Sequence, residues 1–76
     1  MSEIRLGILG GGQLGSMLSV AAKKLNIKTI IYSDEQDSPA QNFCDEFIFG
    51  DYKDKNLIND FVKKVNIITY EFENIP

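Results

Sequence analysis

The first segment that could do chemistry is a glycine-rich turn, GGGQLG, at residues 10–15. It follows a short apolar run, and Gly10, Gly12 and Gly15 fit the pattern G-x-G-x-x-G. In such a turn one glycine makes the bend, one lets a ligand approach the backbone, and one lets helix and strand pack closely. A helix that begins there presents unpaired N–H groups and the positive end of its dipole. The spacing therefore indicates a ligand-binding turn, although glycines that serve packing alone would give the same pattern.

The second such segment is YEFEN, at residues 70–74. If this segment is extended, Glu71 and Glu73 point to the same side. Two carboxylates would repel a pyrophosphate and would suit a ligand that offers hydroxyls, an amine or a ring N–H. The amide of Gln13, in the glycine turn, can both donate and accept hydrogen bonds. The alternative is a solvated loop, where charged residues usually lie, and the residues alone leave both interpretations open.

Two other kinds of protein fit parts of this pattern. Asp34 lies at the end of the second predicted strand, where a dinucleotide fold places the carboxylate that holds a ribose hydroxyl. A small NAD- or FAD-binding module is therefore one alternative, and the acidic segment at 70–74 argues against it. A non-catalytic protein that pairs its open sheet edge with another chain is a second alternative.

The elements that position these segments alternate between strands and helices. Apolar and β-branched runs predict four strands, at residues 4–10, 28–33, 46–50 and 66–70. A helical pattern follows the first strand, a short helical turn begins at Pro39, and a second full helix follows the third strand. This order predicts an α/β fold: a Rossmann-like parallel sheet with helices on both faces and a spatial strand order of three, two, one, four. The first and fourth strands are then neighbours, so GGGQLG and YEFEN should face each other at the switch point of the sheet.

The apolar spacing predicts which side of each helix packs on the sheet. For the first helix the predicted buried stripe is Leu14, Met17, Leu18, Ala21, Ala22 and Leu25, and the predicted polar face is Ser16, Ser19, Lys23 and Lys24. Asn26 is the expected end of this helix. Asp54 is the expected N-cap of the second helix, whose stripe is Leu57, Ile58, Phe61, Val62 and Val65.

Composition excludes several classes of protein. The 76 residues carry a net charge of −3, and the lysine pairs fall on polar helix faces, so neither nucleic acid nor a membrane surface is an expected partner. No apolar run approaches the roughly 20 residues of a membrane-spanning helix. Cys44 is the single cysteine and histidine is absent, so we expect no disulfide, a reducing cytoplasmic location and no metal site. With no histidine to activate it, Cys44 is more plausibly a small packing residue than a nucleophile.

Four separated motifs resemble the amino-terminal domain of the 5-(carboxyamino)imidazole ribonucleotide synthases, the ATPase subunit of phosphoribosylaminoimidazole carboxylase. They are GILGGGQLGSML at 7–18, DSPA at 37–40, GDY at 50–52 and TYEFENIP at 69–76. The resemblance covers essentially the whole chain. It implies that residues 1–76 form a pre-ATP-grasp domain, the first of three domains in an ATP-dependent ligase of purine biosynthesis.

In that family MgATP activates bicarbonate, and the amine of aminoimidazole ribonucleotide takes up the carboxyl group. By similarity, the substrate-binding residues of this chain would be Gly12, Gln13, Leu14, Glu71, Glu73 and Asn74. The family often has arginine where this chain has Ser16, which puts an anionic contact at that position in doubt. The resemblance also implies a homodimeric parent.

We expect the chain to be part of such a ligase rather than an enzyme by itself. The fourth predicted strand carries Ile67 and Ile68 and would leave an apolar sheet edge open. The ATP-grasp and carboxyl-terminal domains of the family lie beyond Pro76. The resemblance therefore predicts that MgATP and bicarbonate bind mainly outside these residues, that no catalytic residue lies among them, and that the chain alone is inactive.

Overall fold

The structure, a computed structural model, describes residues 4–70. Its elements are β1 (Arg5–Leu9), α1 (Gln13–Lys24), β2 (Lys28–Ser33), a 3₁₀ turn (Pro39–Asn42), β3 (Glu46–Phe49), α2 (Lys55–Lys64) and β4 (Ile67–Tyr70). The predicted order of strands and helices is confirmed. Each strand begins and ends within one residue of its predicted bounds.

The four strands form one parallel sheet in the order β3-β2-β1-β4, as predicted. The crossovers place β1 and β4 side by side, and the last residues of these two strands, Leu9 and Tyr70, are paired. On the other side of β1, Leu9 is paired with Tyr32 of β2. The chain therefore enters the glycine turn between the carboxyl ends of β2 and β4, the two strands that flank β1.

The helices cover opposite faces of the sheet. On one face Ile8, Ile31 and Ala40 are buried, and Leu18 of α1 packs against them. On the other face Ile30 and Tyr32 of the sheet are buried together with Phe61 of α2. The prediction of helices on both faces is confirmed.

The predicted buried face of α1 is confirmed for Leu18 and Ala22 and wrong for the rest of the stripe. Most of the large apolar side chains expected against the sheet are exposed: Leu14 (47%), Met17 (61%) and Leu25 (70%), with Ala21 also exposed. The fully buried residues are small: Ala22, which was predicted, and Gly15, Ser16 and Ser19, which were not. The glycine turn and the 3₁₀ turn hold α1 close to the sheet, and only small side chains fit beneath a helix at that distance. Ser16 meets its hydrogen-bonding need locally, because its hydroxyl donates to the Gly12 carbonyl oxygen at 3.3 Å.

The second helix follows its prediction closely. The Asp54 carboxylate accepts a hydrogen bond from the Leu57 N–H at 3.1 Å, which confirms the N-cap. Phe61 is 1% exposed, and of the predicted stripe only Val62, at 46% exposure, faces outward. The phenyl ring of Phe61 lies over Gly7 of β1, where a Cβ atom would stand 2.7 Å from its Cζ.

The ends of the elements also follow their local signals. Asn26 has a φ of 59°, a left-handed conformation that asparagine tolerates, and it terminates α1 as predicted. Pro39 occupies the first turn of the 3₁₀ segment. In the part of the chain that the structure describes, neither helix is long and apolar enough to span a membrane.

Candidate functional site

The glycine turn links β1 to α1 with a backbone that requires glycine. Gly10 has a φ of 116°, which L side chains rarely adopt, and its N–H donates to the Tyr32 carbonyl at 2.8 Å. Gly12 is the N-cap of α1 in an extended conformation and provides no side-chain cap. The first turn of α1 carries no acidic residue either. The first N–H groups of α1 therefore have neither a side-chain cap nor a first-turn carboxylate. In α2, by contrast, Asp54 caps the helix.

The exposed start of α1 carries two of the predicted substrate-binding side chains. Gln13 and Leu14 are both exposed, beside Gly12 and above the end of β1. The pairing of Leu9 with Tyr70 places the start of the turn directly beside the end of β4. The structure thus brings the turn next to the strand that leads into the YEFEN segment.

The remaining predicted residues, Glu71, Glu73 and Asn74, lie outside the described residues. Their role in the site stays a prediction. Asp34, the carboxylate of the dinucleotide alternative, is exposed at the end of β2.

On the side of β2 the glycine turn is covered by protein. The segment after β2 folds back, so that the Ala40 N–H donates to the Gly11 carbonyl at 3.0 Å. Ser38 packs against Gly11, where a Cβ atom would stand 2.6 Å from the Ser38 Cβ. The DSPA motif thus forms a wall of the turn, a role that no pattern in the sequence indicated.

The GDY motif has a packing role. The Tyr32 hydroxyl donates to the Asp51 carbonyl at 2.6 Å. A Cβ on Gly50 would stand 2.5 Å from Leu57 Cδ1 and 2.7 Å from that hydroxyl, so glycine is needed here for lack of space. Burial, with the charges of Asp54 and then Asp51, raises the pKa of Tyr32 above its ordinary 10.0. Tyr32 is therefore a neutral packing residue at physiological pH.

Cys44 is half-buried and packs against the core on the α1 face of the sheet. Burial raises the pKa of its thiol above the ordinary value, and the carboxylates of Asp45 and Glu46 add to this effect. A raised pKa lowers the fraction of reactive thiolate at neutral pH. This favours the packing role predicted for Cys44.

The exposed apolar side of α1 forms a groove that sequence reasoning missed. The groove is shallow and open to solvent, has a volume of about 520 Å³, and is lined by Gln13, Ser16, Met17, Val20, Ala21, Lys24 and Phe43. Its apolar centre exists because the helix turns its larger side chains away from the sheet. The described residues contain no group of three or more histidine, cysteine or carboxylate side chains able to hold a metal ion.

Comparisons with known proteins identify the family. Residues 1–76 match the family model of the ribonucleotide synthetase pre-ATP-grasp domain. Over 70 residues the chain is 43% identical to the N5-carboxyaminoimidazole ribonucleotide synthase of Staphylococcus haemolyticus (strain JCSC1435) and 41% identical to that of Staphylococcus aureus (strain COL). Each of these matches covers 92% of this chain and 19% of the relative.

Solved structures give the same result. The crystal structure of the S. aureus N5-carboxyaminoimidazole synthetase complexed with ADP superposes with a TM-score of 0.89 at 38% identity. The superposition covers 99% of this chain and 21% of the relative, so the chain spans about a fifth of the proteins that it matches. The chain belongs to the ribonucleotide synthetase pre-ATP-grasp domain family.

Proposed function

We propose that this chain is the amino-terminal, substrate-binding part of an ATP-dependent ligase that carboxylates aminoimidazole ribonucleotide with bicarbonate in purine biosynthesis. The observation that carries the proposal is the pairing of Leu9 with Tyr70, in a chain 41% identical to a synthase of that name. This pairing sets the glycine turn beside the strand that continues in sequence into Glu71. A phosphoribosyl ligand needs such a combination of backbone donors and carboxylate acceptors.

Each proposed residue has a distinct role. Gly12 leads the chain into α1, and the backbone at Gln13 and Leu14 lies at the positive end of the α1 dipole, which suits an electron-rich oxygen of the ligand. The Gln13 amide supplies both a donor and an acceptor. In this proposal Glu71 accepts hydrogen bonds from ribose hydroxyls or from the N–H groups of the base, and Glu73 and Asn74 bind the same ligand. These residues orient the substrate, and the proposal assigns no catalytic role to any of them.

The proposal places MgATP and bicarbonate mainly on the remaining domains of the parent enzyme. The solved S. aureus relative was crystallised with ADP, which supports a nucleotide-dependent reaction in the family. Phosphate transfer from ATP would activate bicarbonate for attack by the substrate amine. The described residues have no cluster of metal ligands, and we assign them no contact with the magnesium ion. We further propose a cytoplasmic, homodimeric parent.

A chimera tests the proposal. Residues 1–76 replace the corresponding amino-terminal segment of the S. aureus synthase, and ADP release is measured with and without aminoimidazole ribonucleotide. We expect substrate-dependent ADP release from the chimera and none from the isolated 76-residue chain. Gln13→Ala and Glu71→Gln should each lower kcat/KM for aminoimidazole ribonucleotide by roughly tenfold, the effect of one or two lost hydrogen bonds.

Lys53→Ala is the matched control, because Lys53 is exposed and lies outside the proposed site. It should leave kcat/KM unchanged. A folded chimera that releases ADP equally well with and without aminoimidazole ribonucleotide would contradict the substrate assignment. An active chimera that tolerates both site substitutions would contradict the proposed roles of Gln13 and Glu71.

A further inference from the structure

The β2 side of the glycine turn is closed by a ring of hydrogen bonds. The Glu35 N–H donates to the Ser33 hydroxyl oxygen at 3.1 Å, and the hydroxyls of Ser33 and Ser38 lie 3.0 Å apart. The Ser38 hydroxyl in turn donates to the Glu35 carbonyl at 2.6 Å. Because that bond uses the single proton of Ser38, Ser33 is the donor between the two serines. Each hydroxyl therefore donates once and accepts once, and the ring is fully satisfied.

This ring holds the chain against the glycine turn. Ser33 is 3% exposed, Ser38 is 5% exposed, and Ala40 is fully buried. The Ser38 side chain fills the space above Gly11, and the Ala40 N–H binds the Gly11 carbonyl. Moving the segment aside would leave buried polar groups unpaired. The wall therefore resists displacement by a ligand.

The position of this wall limits the ligand. In dinucleotide-binding folds the pyrophosphate lies on the glycine turn, and the adenosine half runs toward the carboxylate at the end of the second strand. Here that carboxylate, Asp34, is present, but the route along Gly11 is occupied by Ser38. Among the described residues, β4 borders the turn on its other side.

We propose that Ser38, bonded to Ser33 and packed on Gly11, is a specificity-determining positioning residue that restricts the crevice to mononucleotide-sized phosphoribosyl ligands and excludes dinucleotides. The inference rests on the proposed function for the identity of the preferred ligand. The exclusion of dinucleotides follows from the contacts at Gly11 alone.

Titration of the 76-residue chain, followed by amide chemical shifts of residues 10–15, tests this inference. The probes are aminoimidazole ribonucleotide and NAD. For the wild-type chain we expect the dissociation constant for NAD to be at least about tenfold higher than that for aminoimidazole ribonucleotide. Ser38→Gly opens the space above Gly11 and should lower the ratio of the two constants by at least about threefold. Ser38→Ala keeps the Cβ in contact with Gly11, so it should lower the ratio by less than Ser38→Gly does. If the glycine variant does not fold, Ser38→Ala is compared with the wild type in its place.

Gln36→Gly is the matched control, since it adds the same backbone freedom at an exposed position of the same loop. It should leave the ratio unchanged. NAD binding by the wild-type chain as tight as that of aminoimidazole ribonucleotide would overturn the inference, as would equal ratios in the wild type and a folded Ser38→Gly. If the wild type binds neither probe, the proposed substrate site fails. The NAD arm then decides the inference alone, because folded Ser38→Gly must gain NAD-dependent shifts at residues 10–15.

Discussion

At the scale of single residues, absent side chains decide much of the packing. Gly7 lies in the middle of β1 beneath α2, and a Cβ there would meet Phe61 Cζ at 2.7 Å and both Val65 methyl groups at 3.0 Å. Gly7 lies outside the glycine turn at residues 10–15, and its role is to let α2 approach the sheet. Because Gly7 has no Cβ, α2 can pack closer to β1 than it could over any other residue.

Gly7→Ala should destabilise the chain by about 1–3 kcal/mol, because the new methyl group pushes on the buried ring of Phe61. Urea unfolding monitored by circular dichroism measures this change. Phe61→Leu by itself also destabilises, but combined with Gly7→Ala it should cost less than the sum of the two single changes. Additive costs would contradict the contact between Gly7 and Phe61.

Tyr32 links stability to alkaline pH. Its pKa is raised in the folded state by burial, and then by Asp54 and Asp51, so the folded chain holds this proton more tightly than the unfolded chain. The resulting stabilisation is fully present below the unfolded pKa of about 10 and is lost as pH rises through the folded pKa. Tyr32→Phe should cost about 1 kcal/mol at pH 7 through loss of the bond to the Asp51 carbonyl.

Unfolding free energies measured between pH 8 and pH 11 test the linkage. The wild type should lose stability across this range more steeply than Tyr32→Phe. Tyr70→Phe, at an exposed tyrosine of β4, is the control and should follow the wild type. Equal slopes for the wild type and Tyr32→Phe would show that Tyr32 is not responsible.

At the scale of elements, the two helices differ in the size of the side chains that they bury against the sheet. In α2 the large apolar side chains face the sheet, as an amphipathic pattern predicts. In α1 the small residues Gly15, Ser16 and Ser19 face the sheet, and larger side chains such as Met17 point outward. A helix that starts at a glycine turn lies close to its sheet, so volume rather than hydrophobicity selects its buried residues.

The orientation of α1 can be tested by two exchanges. Ser19→Leu adds volume at a site that is 1% exposed and should destabilise the chain by about 1–3 kcal/mol. Met17→Gln changes a side chain that is 61% exposed and should shift stability by less than about 0.5 kcal/mol. Chemical denaturation measures both variants. The reverse ranking would restore the apolar face predicted from the sequence.

The N-cap of α2 provides a second test at this scale. Asp54→Ala removes the acceptor of the Leu57 N–H and should cost about 1 kcal/mol, whereas Asp54→Asn should keep most of the stability. Asp60→Ala, in the exposed part of the same helix, is the charge-matched control. Thermal unfolding of the three variants compares them. A loss in Asp60→Ala as large as that in Asp54→Ala would assign the effect to charge rather than to capping.

At the scale of the whole molecule, the crossovers create the candidate site. The chain passes from β3 through α2 to β4 on the far side of β1, so the glycine turn lies between the ends of β2 and β4. One side of the turn is walled by Ser38 and Ala40, and the other is next to β4. The site is therefore asymmetric, although its two flanking strands are both parallel neighbours of β1.

A ligand that binds the folded chain should raise its melting temperature. With aminoimidazole ribonucleotide at 100 times its dissociation constant, we expect a gain of about 2.7 kcal/mol in unfolding free energy. Differential scanning fluorimetry over a concentration series measures the shift. Gln13→Ala should need a higher ligand concentration for the same shift, and Lys53→Ala should not. A melting temperature that is independent of ligand in all three proteins would contradict a substrate site on this chain.

The sequence by itself determined the order of elements, the parallel sheet and the positions of the turns. These follow from local signals: runs of apolar residues, Asp54 as an N-cap, Asn26 at the end of α1, Pro39 at the start of the 3₁₀ turn, and glycines at fixed spacing. The tertiary structure decided which face of α1 is buried, what Gly7, Gly11 and Gly50 make room for, and that the DSPA segment walls the glycine turn. Those features depend on distances between elements far apart in the chain, and a residue pattern encodes hydrophobicity and spacing but not the volume left between a helix and its sheet.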